Sequence, residues 1–210
     1  MKVSVSSLIY DEKKVDVLEV INSGADFLHL DVMDGSMTKN KTFLWEEVEN
    51  INENSTIFLD CHLMINEPKN VLEKFVLAGA NVVSIHFEAF KNKNDLIDCL
   101  KFLRENKVLV GLCVCTKTNV DEIEKYKDLI DLVVLMGVEI GEYGQKMNEN
   151  IFEKIEYVKK NFPKLLVEVD GGVNTENIQK LKELGVDIVV CGSSFKKAQN
   201  KKEFVEFVQK

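Results

Sequence analysis

The chain has 210 residues, of which 45% are hydrophobic and 30% charged, a composition typical of one globular domain with a substantial core. Its net charge of −8 argues against nucleic acid as the main partner, because a surface that binds phosphate backbones normally carries a basic excess. No apolar run approaches the ~20 residues of a membrane-spanning helix, and the N-terminus lacks a secretory signal pattern. We therefore expect a cytoplasmic protein that binds no membrane and forms one domain over residues 1–210.

One pattern recurs along the chain. A helical stretch ends in a small residue and a glycine, and a short run of apolar and β-branched residues follows, as at 23–31, 78–87 and 183–192. Glycine in the left-handed conformation commonly ends a helix. Apolar runs without alternation are typical of parallel strands that are buried on both faces. The pattern therefore predicts an α/β protein with a parallel sheet covered by helices.

Taken in chain order, the pattern predicts eight strands, each followed by a helix. The strands are expected near 3–9, 26–32, 57–64, 82–87, 107–114, 131–136, 164–169 and 187–191. The helices are expected near 11–23, 42–53, 68–79, 93–106, 119–127, 149–161, 175–184 and 199–209. Eight units of about 26 residues favour a single (β/α)8 TIM barrel. The alternative, an open doubly wound sheet, usually carries a glycine-rich fingerprint after its first strand, and SSLIYDEKK contains no glycine.

Polar residues gather at the C-terminal ends of the predicted strands, where barrel enzymes place their chemistry. All three histidines, His29, His62 and His86, lie at such ends. Residues two apart on a strand point to the same side, so Asp31 can face the barrel axis together with His29. Two imidazoles and two carboxylates suit Zn²⁺, Fe²⁺, Mn²⁺ or Co²⁺. The predicted ligands of this one divalent metal ion are His29, Asp31, His62 and Asp170.

Small residues after strands seven and eight predict a phosphate site. Gly171 and Gly172 follow strand seven, and Gly192 and Ser193 follow strand eight. Loops at these two positions of the barrel often hold phosphate through backbone N–H groups, and glycine lets the backbone approach the anion closely. The expected partner is therefore a small phosphorylated molecule.

Sulfur-containing side chains also fall at strand ends. Met33, Met64 and Met136 are expected to form an apolar lining around the reacting carbon or to pack inside the barrel. Cys113 and Cys115 lie two apart on a predicted strand, a spacing that we interpret as two small buried side chains rather than as a metal or redox site. The five cysteines, at 61, 99, 113, 115 and 191, fit reduced thiols in a cytosolic protein.

Five segments together resemble the ribulose-phosphate 3-epimerase family, some of whose close relatives act on hexulose 6-phosphates such as allulose 6-phosphate. The segments are HLDVMDG (29–35), LDCHLM (59–64), GANVVSIHFEA (79–89), VEVDGGVN (167–174) and VVCGSS (189–194). The resemblance runs in order from about residue 2 to residue 195. It implies a barrel enzyme, with the possibility of a homo-oligomer, that binds one divalent metal and interconverts D-ribulose 5-phosphate and D-xylulose 5-phosphate.

The resemblance also implies roles for individual residues. Asp31 and Asp170 would exchange the proton at C3 from opposite faces of the substrate, through an enediolate that the metal stabilises. The metal ligands would be the same four side chains that the strand ends predict. The implied substrate contacts are Ser6, His62, Gly141, Gly144, Gly171, Gly172, Gly192 and Ser193.

Three loops depart from the family pattern. After strand six, a glycine-rich lid keeps only Gly141, Gly144 and Gln145 and gains Glu142, and the segments 36–40 and 115–116 also differ. A lid excludes water and orients the ligand, so these changes are expected to alter turnover or substrate choice. They leave open a hexulose 6-phosphate 3-epimerase or a non-catalytic descendant that binds a sugar phosphate. A lysine-dependent aldolase or decarboxylase is disfavoured, because no predicted strand ends in lysine.

Overall fold

In the computed structural model, which describes residues 1–10, 15–141 and 144–210, eight parallel strands pair in sequence order and close into a barrel. They are β1 (Lys2–Ser6), β2 (Phe27–Met33), β3 (Phe58–Met64), β4 (Val82–His86), β5 (Leu109–Val114), β6 (Leu132–Met136), β7 (Leu166–Asp170) and β8 (Ile188–Cys191). β8 pairs with β1, which completes the ring. The predicted (β/α)8 barrel is confirmed, and the open doubly wound sheet is wrong.

Helices surround the barrel in the described part of the chain. They are α1 (Val17–Ser23), α2 (Trp45–Asn54), α3 (Leu72–Leu77), α4 (Lys93–Glu105), α5 (Asn150–Asn161), α6 (Ile178–Glu183), α7 (Ser193–Lys197) and α8 (Lys201–Gln209). Shorter 3-10 helices occupy Ser7–Ile9, Pro68–Asn70, Phe87–Ala89 and Val120–Tyr126. No helix among the described residues is both long enough and apolar enough to cross a membrane.

Several element boundaries differ from the prediction. The first strand ends at Ser6 rather than at residue 9, because the Ser6 hydroxyl accepts a hydrogen bond from the Leu8 N–H and starts a 3-10 turn. The helix predicted over 119–127 forms as the 3-10 helix Val120–Tyr126, and α7 was not predicted. The helix predicted over 11–23 begins at Val17, and residues 11–14 lie outside the described part.

The glycines of the recurring pattern do what the sequence predicts. Gly24 ends α1 with a φ of 80°, and Gly79 and Gly185 have φ values of 92° and 79° at the two other repeats. L-residues with a side chain rarely adopt this conformation. Each glycine therefore ends a helix and turns the chain into the next strand.

The strands have two different faces. Outward-facing valines, leucines and isoleucines form one large core between the barrel and the helices. Inside the barrel, an apolar cluster consists of Phe27, Val82, Cys113, Leu132, Val134, Met136 and Ile188. The buried polar side chains of the strands are Ser4, Ser6, His29, Asp31, Asp60, His62, Ser84, His86, Glu168 and Asp170. They come from β1–β4 and β7, whereas β5, β6 and β8 contribute to the apolar cluster only.

Candidate active site

The four predicted metal ligands meet at the C-terminal end of the barrel. His29 and Asp31 come from β2, His62 from β3 and Asp170 from β7, and all four are buried. Their nearest ligand atoms lie within 4.8 Å of one another. The register explains the convergence, because Asp31 stands directly opposite His62 on the neighbouring strand. The strand register thus brings two imidazoles and two carboxylates into one compact cluster.

Two ring nitrogens in this cluster have no hydrogen-bond partner among the described residues. His29 Nε2 lies 3.6 Å from Asp31 Oδ1, and His62 Nδ1 lies 3.1 Å from Asp170 Oδ2, yet neither contact has hydrogen-bond geometry. A buried polar atom without a partner is costly, and such atoms often mark a place where an ion binds. Two nitrogens and two carboxylate oxygens within this distance fit a divalent cation.

His29 is held by groups that the sequence analysis did not assign. Its Nδ1 lies 2.7 Å from Asp60 Oδ2, and Ser4 Oγ donates to the same oxygen at 2.8 Å. A histidine that donates from Nδ1 to a carboxylate keeps the lone pair of Nε2 free for a metal. The signal was present in the sequence, since Asp60 lies two residues before His62 and therefore on the same face of β3.

A second buried carboxyl group lies beside Asp60. Glu168 is fully buried on β7, and its Oε1 lies 3.5 Å from His29 Nδ1. Burial, followed by the negative charge of Asp60, raises the pKa of Glu168 to about 8. For Asp60, burial opposes ionisation, but the charge and the hydrogen bond of His29 hold its pKa below the usual range. One member of the pair is therefore charged and the other neutral near pH 7.

The third histidine supports His62 rather than joining the four ligands. His86 Nε2 lies 2.8 Å from His62 Nε2, and His86 Nδ1 lies 3.3 Å from Glu88 Oε2. Glu88 Oε1 accepts from the Cys115 N–H at 2.9 Å and from the Thr118 hydroxyl. Although burial opposes ionisation, these hydrogen bonds lower the pKa of Glu88 to about 2. A chain of hydrogen bonds thus runs from the four-ligand cluster to a charged carboxylate.

A cavity opens next to Asp31 and Asp170. Its lining is Ser6, Leu8, Asp31, Met64, Met136, Val138, Glu139, Ile140, Gly141, Gly144, Asp170, Gly171, Gly172, Val173, Val190, Gly192 and Ser193. Ser6 Oγ donates to Asp31 Oδ2 at 2.9 Å, which joins the ends of β1 and β2 at the edge of this cavity. The residues expected around the substrate therefore surround one space, except His62, which is fully buried behind its wall.

The apolar lining differs from the expectation at one position. Met64 and Met136 line the cavity, whereas Met33 is fully buried and does not. Thr42 bonds to Met33 twice, since its hydroxyl accepts from the Met33 N–H and its own N–H donates to the Met33 carbonyl. This pairing holds the segment after β2 against the end of that strand.

Backbone geometry explains the paired glycines after β7. Gly171 and Gly172 have φ values of 98° and 75°. A Cβ atom on Gly172 would lie 2.6 Å from the backbone N and Cα of Met147. Only glycine fits there without a shift of the Met147 backbone, and both glycines line the cavity.

The three departing loops contact one another. Asn40 Nδ2 donates to the carbonyl of Gly141, which joins the loop after β2 to the loop after β6. Thr116 Oγ1 donates to Glu139 Oε1 at 2.8 Å, and Lys117 Nζ lies 3.2 Å from the same oxygen. The changes therefore form one connected set around the cavity mouth; Glu142 lies outside the described residues.

Solved structures with the same fold include enzymes that are named for sugar phosphates. One is 3-hexulose-6-phosphate synthase from Salmonella typhimurium, with a TM-score of 0.73 and 15% identity over 99% of this chain and 96% of that one. Another is 3-keto-L-gulonate-6-phosphate decarboxylase from Vibrio cholerae, with a TM-score of 0.74 and 13% identity over 100% of this chain and 95% of that one. At such low identity these similarities show the fold alone.

Sequence relatives are more informative. The model of the ribulose-phosphate 3 epimerase family matches residues 1–196. Ribulose-phosphate 3-epimerase of Chlamydia muridarum is 36% identical over 195 residues, covering 89% of this chain and 84% of that protein. The Helicobacter pylori enzyme of the same name is 36% identical over 191 residues, covering 89% and 87%. These matches confirm the predicted resemblance and the predicted class of enzyme, a sugar-phosphate epimerase, and the chain belongs to the ribulose-phosphate 3-epimerase family.

Proposed function

We propose that this protein interconverts D-ribulose 5-phosphate and D-xylulose 5-phosphate. The observation that carries the proposal is the position of two carboxylates, Asp31 and Asp170, which line one cavity from β2 and from β7. The relatives named above are ribulose-phosphate 3-epimerases, which supports a pentulose phosphate rather than a hexulose 6-phosphate as the substrate.

The two carboxylates suit the chemistry of epimerisation. Inverting a carbon next to a carbonyl requires one group to remove a proton and another to deliver a proton to the opposite face. In one direction Asp31 accepts the C3 proton, which leaves an enediolate, and Asp170 donates a proton to the other face. The roles exchange in the reverse direction. Ser6 Oγ, which donates to Asp31 Oδ2 at 2.9 Å, holds that carboxylate in place while its protonation changes.

We further propose that His29, Asp31, His62 and Asp170 hold one divalent cation. The two unpartnered ring nitrogens and the neighbouring carboxylate oxygens support this, and the donor set suits Zn²⁺, Fe²⁺, Mn²⁺ or Co²⁺. When bound, the cation supplies positive charge that offsets the negative charge developing on the substrate oxygens. Asp60 and His86 orient the two imidazoles through their other ring nitrogens.

The phosphate of the substrate is proposed to lie against the loops after β7 and β8. Backbone N–H groups of Gly172 and Gly192 and the Ser193 hydroxyl are candidates to bind it, because all three residues line the cavity. Gly141 and Gly144 border the same space from the loop after β6. Glycine at these positions lets the backbone approach an anion closely.

Hydrogen exchange at C3 tests the proposal directly. Metal-supplemented protein is incubated with D-ribulose 5-phosphate in D₂O, and deuterium at C3 is followed by NMR. We expect exchange together with formation of xylulose 5-phosphate, and a fall of roughly 10²–10⁴-fold in Asp31→Asn and in Asp170→Asn. Asp128→Asn, which changes an exposed carboxylate before β6 at the other end of the barrel, should behave as the native protein.

Other outcomes would change the assignment. Exchange with allulose 6-phosphate but not with ribulose 5-phosphate would move the substrate to the hexulose 6-phosphates. No exchange with either sugar, in protein that holds one metal per chain, would reject the epimerase and favour a role in binding only.

The cellular location and the oligomeric state of the protein are separate questions from its reaction. All five cysteines are free thiols. Reduced thiols are typical of the cytoplasm, and we propose that the protein acts there. A homo-oligomer stays a prediction from the family resemblance, which size-exclusion chromatography with light scattering would test.

A further inference from the structure

A second group of metal-binding atoms lies at the ends of β4 and β5, beyond the four-ligand cluster. Cys113 stands opposite His86 in the strand register, and Cys115 follows two residues later on the same side. Cys115 Sγ lies 3.5 Å from His86 Nδ1, and Glu88 Oε2 lies 3.3 Å from the same nitrogen. Ligand atoms of His86, Glu88 and Cys115 all lie within 4.8 Å of one another. None of these three side chains belongs to the proposed catalytic ligands.

The separations match those of a tetrahedral metal centre. Zinc binds sulfur at about 2.3 Å, nitrogen at about 2.0–2.1 Å and carboxylate oxygen at about 2.0–2.2 Å. Two ligands at a tetrahedral angle are then roughly 3.6 Å apart for nitrogen and sulfur, and roughly 3.4 Å apart for nitrogen and oxygen. The observed separations of 3.5 Å and 3.3 Å agree with these values. Two of the three donor pairs therefore already have the separation that a bound cation requires, and the third lies within 4.8 Å.

The group is rigid and reachable from solvent. Glu88 is fixed by the Cys115 N–H and the Thr118 hydroxyl, both on Oε1, so its Oε2 remains directed at His86. Lys154 Nζ donates to the carbonyl of Cys115 at 2.8 Å and anchors the end of β5. The Glu88 side chain is 25% exposed, which leaves room for a water molecule as the fourth ligand.

We propose that His86 Nδ1, Glu88 Oε2 and Cys115 Sγ form a second metal site, which takes a thiophilic divalent cation such as Zn²⁺ or Cd²⁺. On binding, the thiol of Cys115 loses its proton to solvent and the sulfur becomes a thiolate ligand. His86 must present the lone pair of Nδ1, so its ring proton moves to Nε2. Mixed sulfur, nitrogen and oxygen donors favour these cations over Mg²⁺ or Ca²⁺.

The two sites oppose each other through one hydrogen bond, between His62 Nε2 and His86 Nε2. For His62 Nδ1 to bind the catalytic cation, the His62 proton must be on Nε2 and be donated to His86 Nε2, which lies 2.8 Å away. When His86 Nδ1 binds the second cation, the proton of His86 is on Nε2 and points at the same His62 atom. With both sites filled, the Nε2–H groups of His62 and His86 face each other, and neither ring can accept a hydrogen bond from the other. A cation at the second site therefore weakens the catalytic site and inhibits the enzyme; this coupling rests on the proposed function.

Cadmium reports the second site without any need for activity. The full-length protein, loaded with one equivalent of Mn²⁺, is titrated with Cd²⁺ while the ultraviolet absorption of cadmium–thiolate bonds and the release of Mn²⁺ are followed. We expect one thiolate-bound Cd²⁺ per chain and Mn²⁺ binding that is about tenfold weaker at saturation. Cys115→Ser should lose the absorption while keeping Mn²⁺, and Cys99→Ser, which changes a thiol on α4, should keep both responses.

Each remaining outcome contradicts a defined part of the proposal. No thiolate absorption in the folded native protein, or absorption that survives Cys115→Ser, would reject the second site. If the absorption disappears in Cys113→Ser but not in Cys115→Ser, the thiolate belongs to Cys113. That result would also reject the proposed second site. If thiolate absorption appears while Mn²⁺ stays tightly bound, the second site stands, but its coupling to the catalytic site is rejected. A protein that binds Cd²⁺ in this way but fails to exchange C3 hydrogen would contradict the proposed epimerase and leave the second site standing.

Discussion

Asp60 Oδ2 lies 2.7 Å from His29 Nδ1, and this contact turns the opposite ring nitrogen, Nε2, towards Asp31 and Asp170. The Asp60 carboxylate is enclosed inside the barrel, where an electrostatic hydrogen bond is strong and hard to replace. It does not line the cavity, so we expect it to act on the proposed reaction only by orienting His29 as a metal ligand.

Asp60→Asn should therefore weaken metal binding by about 10–100-fold, because the amide cannot fix the His29 tautomer in the same way. Competition with a fluorescent chelator measures the affinity. Glu168→Gln is the matched control, since this side chain is equally buried but lies 3.5 Å from His29 Nδ1 without a hydrogen bond to it. Equal losses in both variants would show that burial alone, and not the hydrogen bond, matters.

Ser6→Ala removes the hydroxyl that donates to Asp31 Oδ2 at 2.9 Å. A hydrogen bond to a charged group contributes about 1.5–3 kcal/mol, so kcat/KM should fall by roughly 10–100-fold. Ser23→Ala serves as the control, because that buried hydroxyl donates to the Val20 carbonyl within α1 and does not line the cavity. Both variants are measured by steady-state kinetics and by thermal unfolding. The two measurements separate an effect on the rate from an effect on stability.

Two glycine substitutions distinguish the phosphate site from the fold. A Cβ atom on Gly192 would lie 3.6 Å from Ser6 Cβ and 3.7 Å from Ile9 Cγ2, which is ordinary contact, although its φ of −101° and ψ of −97° lie outside the helical and extended regions. Gly192→Ala should raise KM, since the methyl group narrows the cavity, and should lower Tm less than Gly172→Ala, since its Cβ meets no atom closer than 3.6 Å. Gly172→Ala should lower Tm, because its Cβ meets the Met147 backbone at 2.6 Å. An unchanged KM in Gly192→Ala would argue against phosphate at this loop.

Asp26 should make stability depend on pH. It accepts hydrogen bonds from Lys2 Nζ at 2.7 Å, Val3 N–H at 2.9 Å and Gln209 Nε2 at 3.0 Å. Burial opposes ionisation, but these partners outweigh it and lower the pKa of Asp26 in the folded state. A lowered pKa stabilises the fold above the unfolded-state value of about 3.9 and loses this effect as the pH falls below it.

The comparison that checks this is the free energy of unfolding of the native protein and of Asp26→Asn at several pH values. The native protein should be the more stable at pH 7, and the difference should shrink as the pH falls through about 4. Asp128→Asn, which changes an exposed carboxylate, is the control for the loss of one negative charge. A difference between native protein and Asp26→Asn that is the same at pH 3 and pH 7 would contradict the prediction.

The sequence predicts the barrel and the four-ligand cluster because both follow from strand periodicity. His29 and Asp31 share a face, and the carboxyl ends of parallel strands meet at one end of the barrel. The same rule puts Asp60 and Glu168 inside the barrel as well, two residues before His62 and Asp170. Their roles escaped the sequence analysis because spacing shows the direction of a side chain but not which buried atoms have partners.

Loop contacts are harder to predict. Met33 has the spacing of a cavity residue, yet its side chain is completely buried and does not line the cavity. The interpretation of Cys115 as a small packing residue also did not foresee that its thiol lies beside His86 Nδ1. In both cases the outcome depends on how a loop after one strand packs against its neighbours, and local sequence carries little information about this.

The unpartnered ring nitrogens of His29 and His62 also affect the lifetime of the chain in a growing cell. Such atoms lower the free energy of unfolding, and a cation that binds only the folded state restores it by mass action. If the proposed cation binds there, newly made chains that do not capture it should unfold more often and be degraded sooner. We expect a culture starved of transition metals to contain less of this protein at an unchanged level of messenger RNA, so that metal supply sets its abundance as well as its activity.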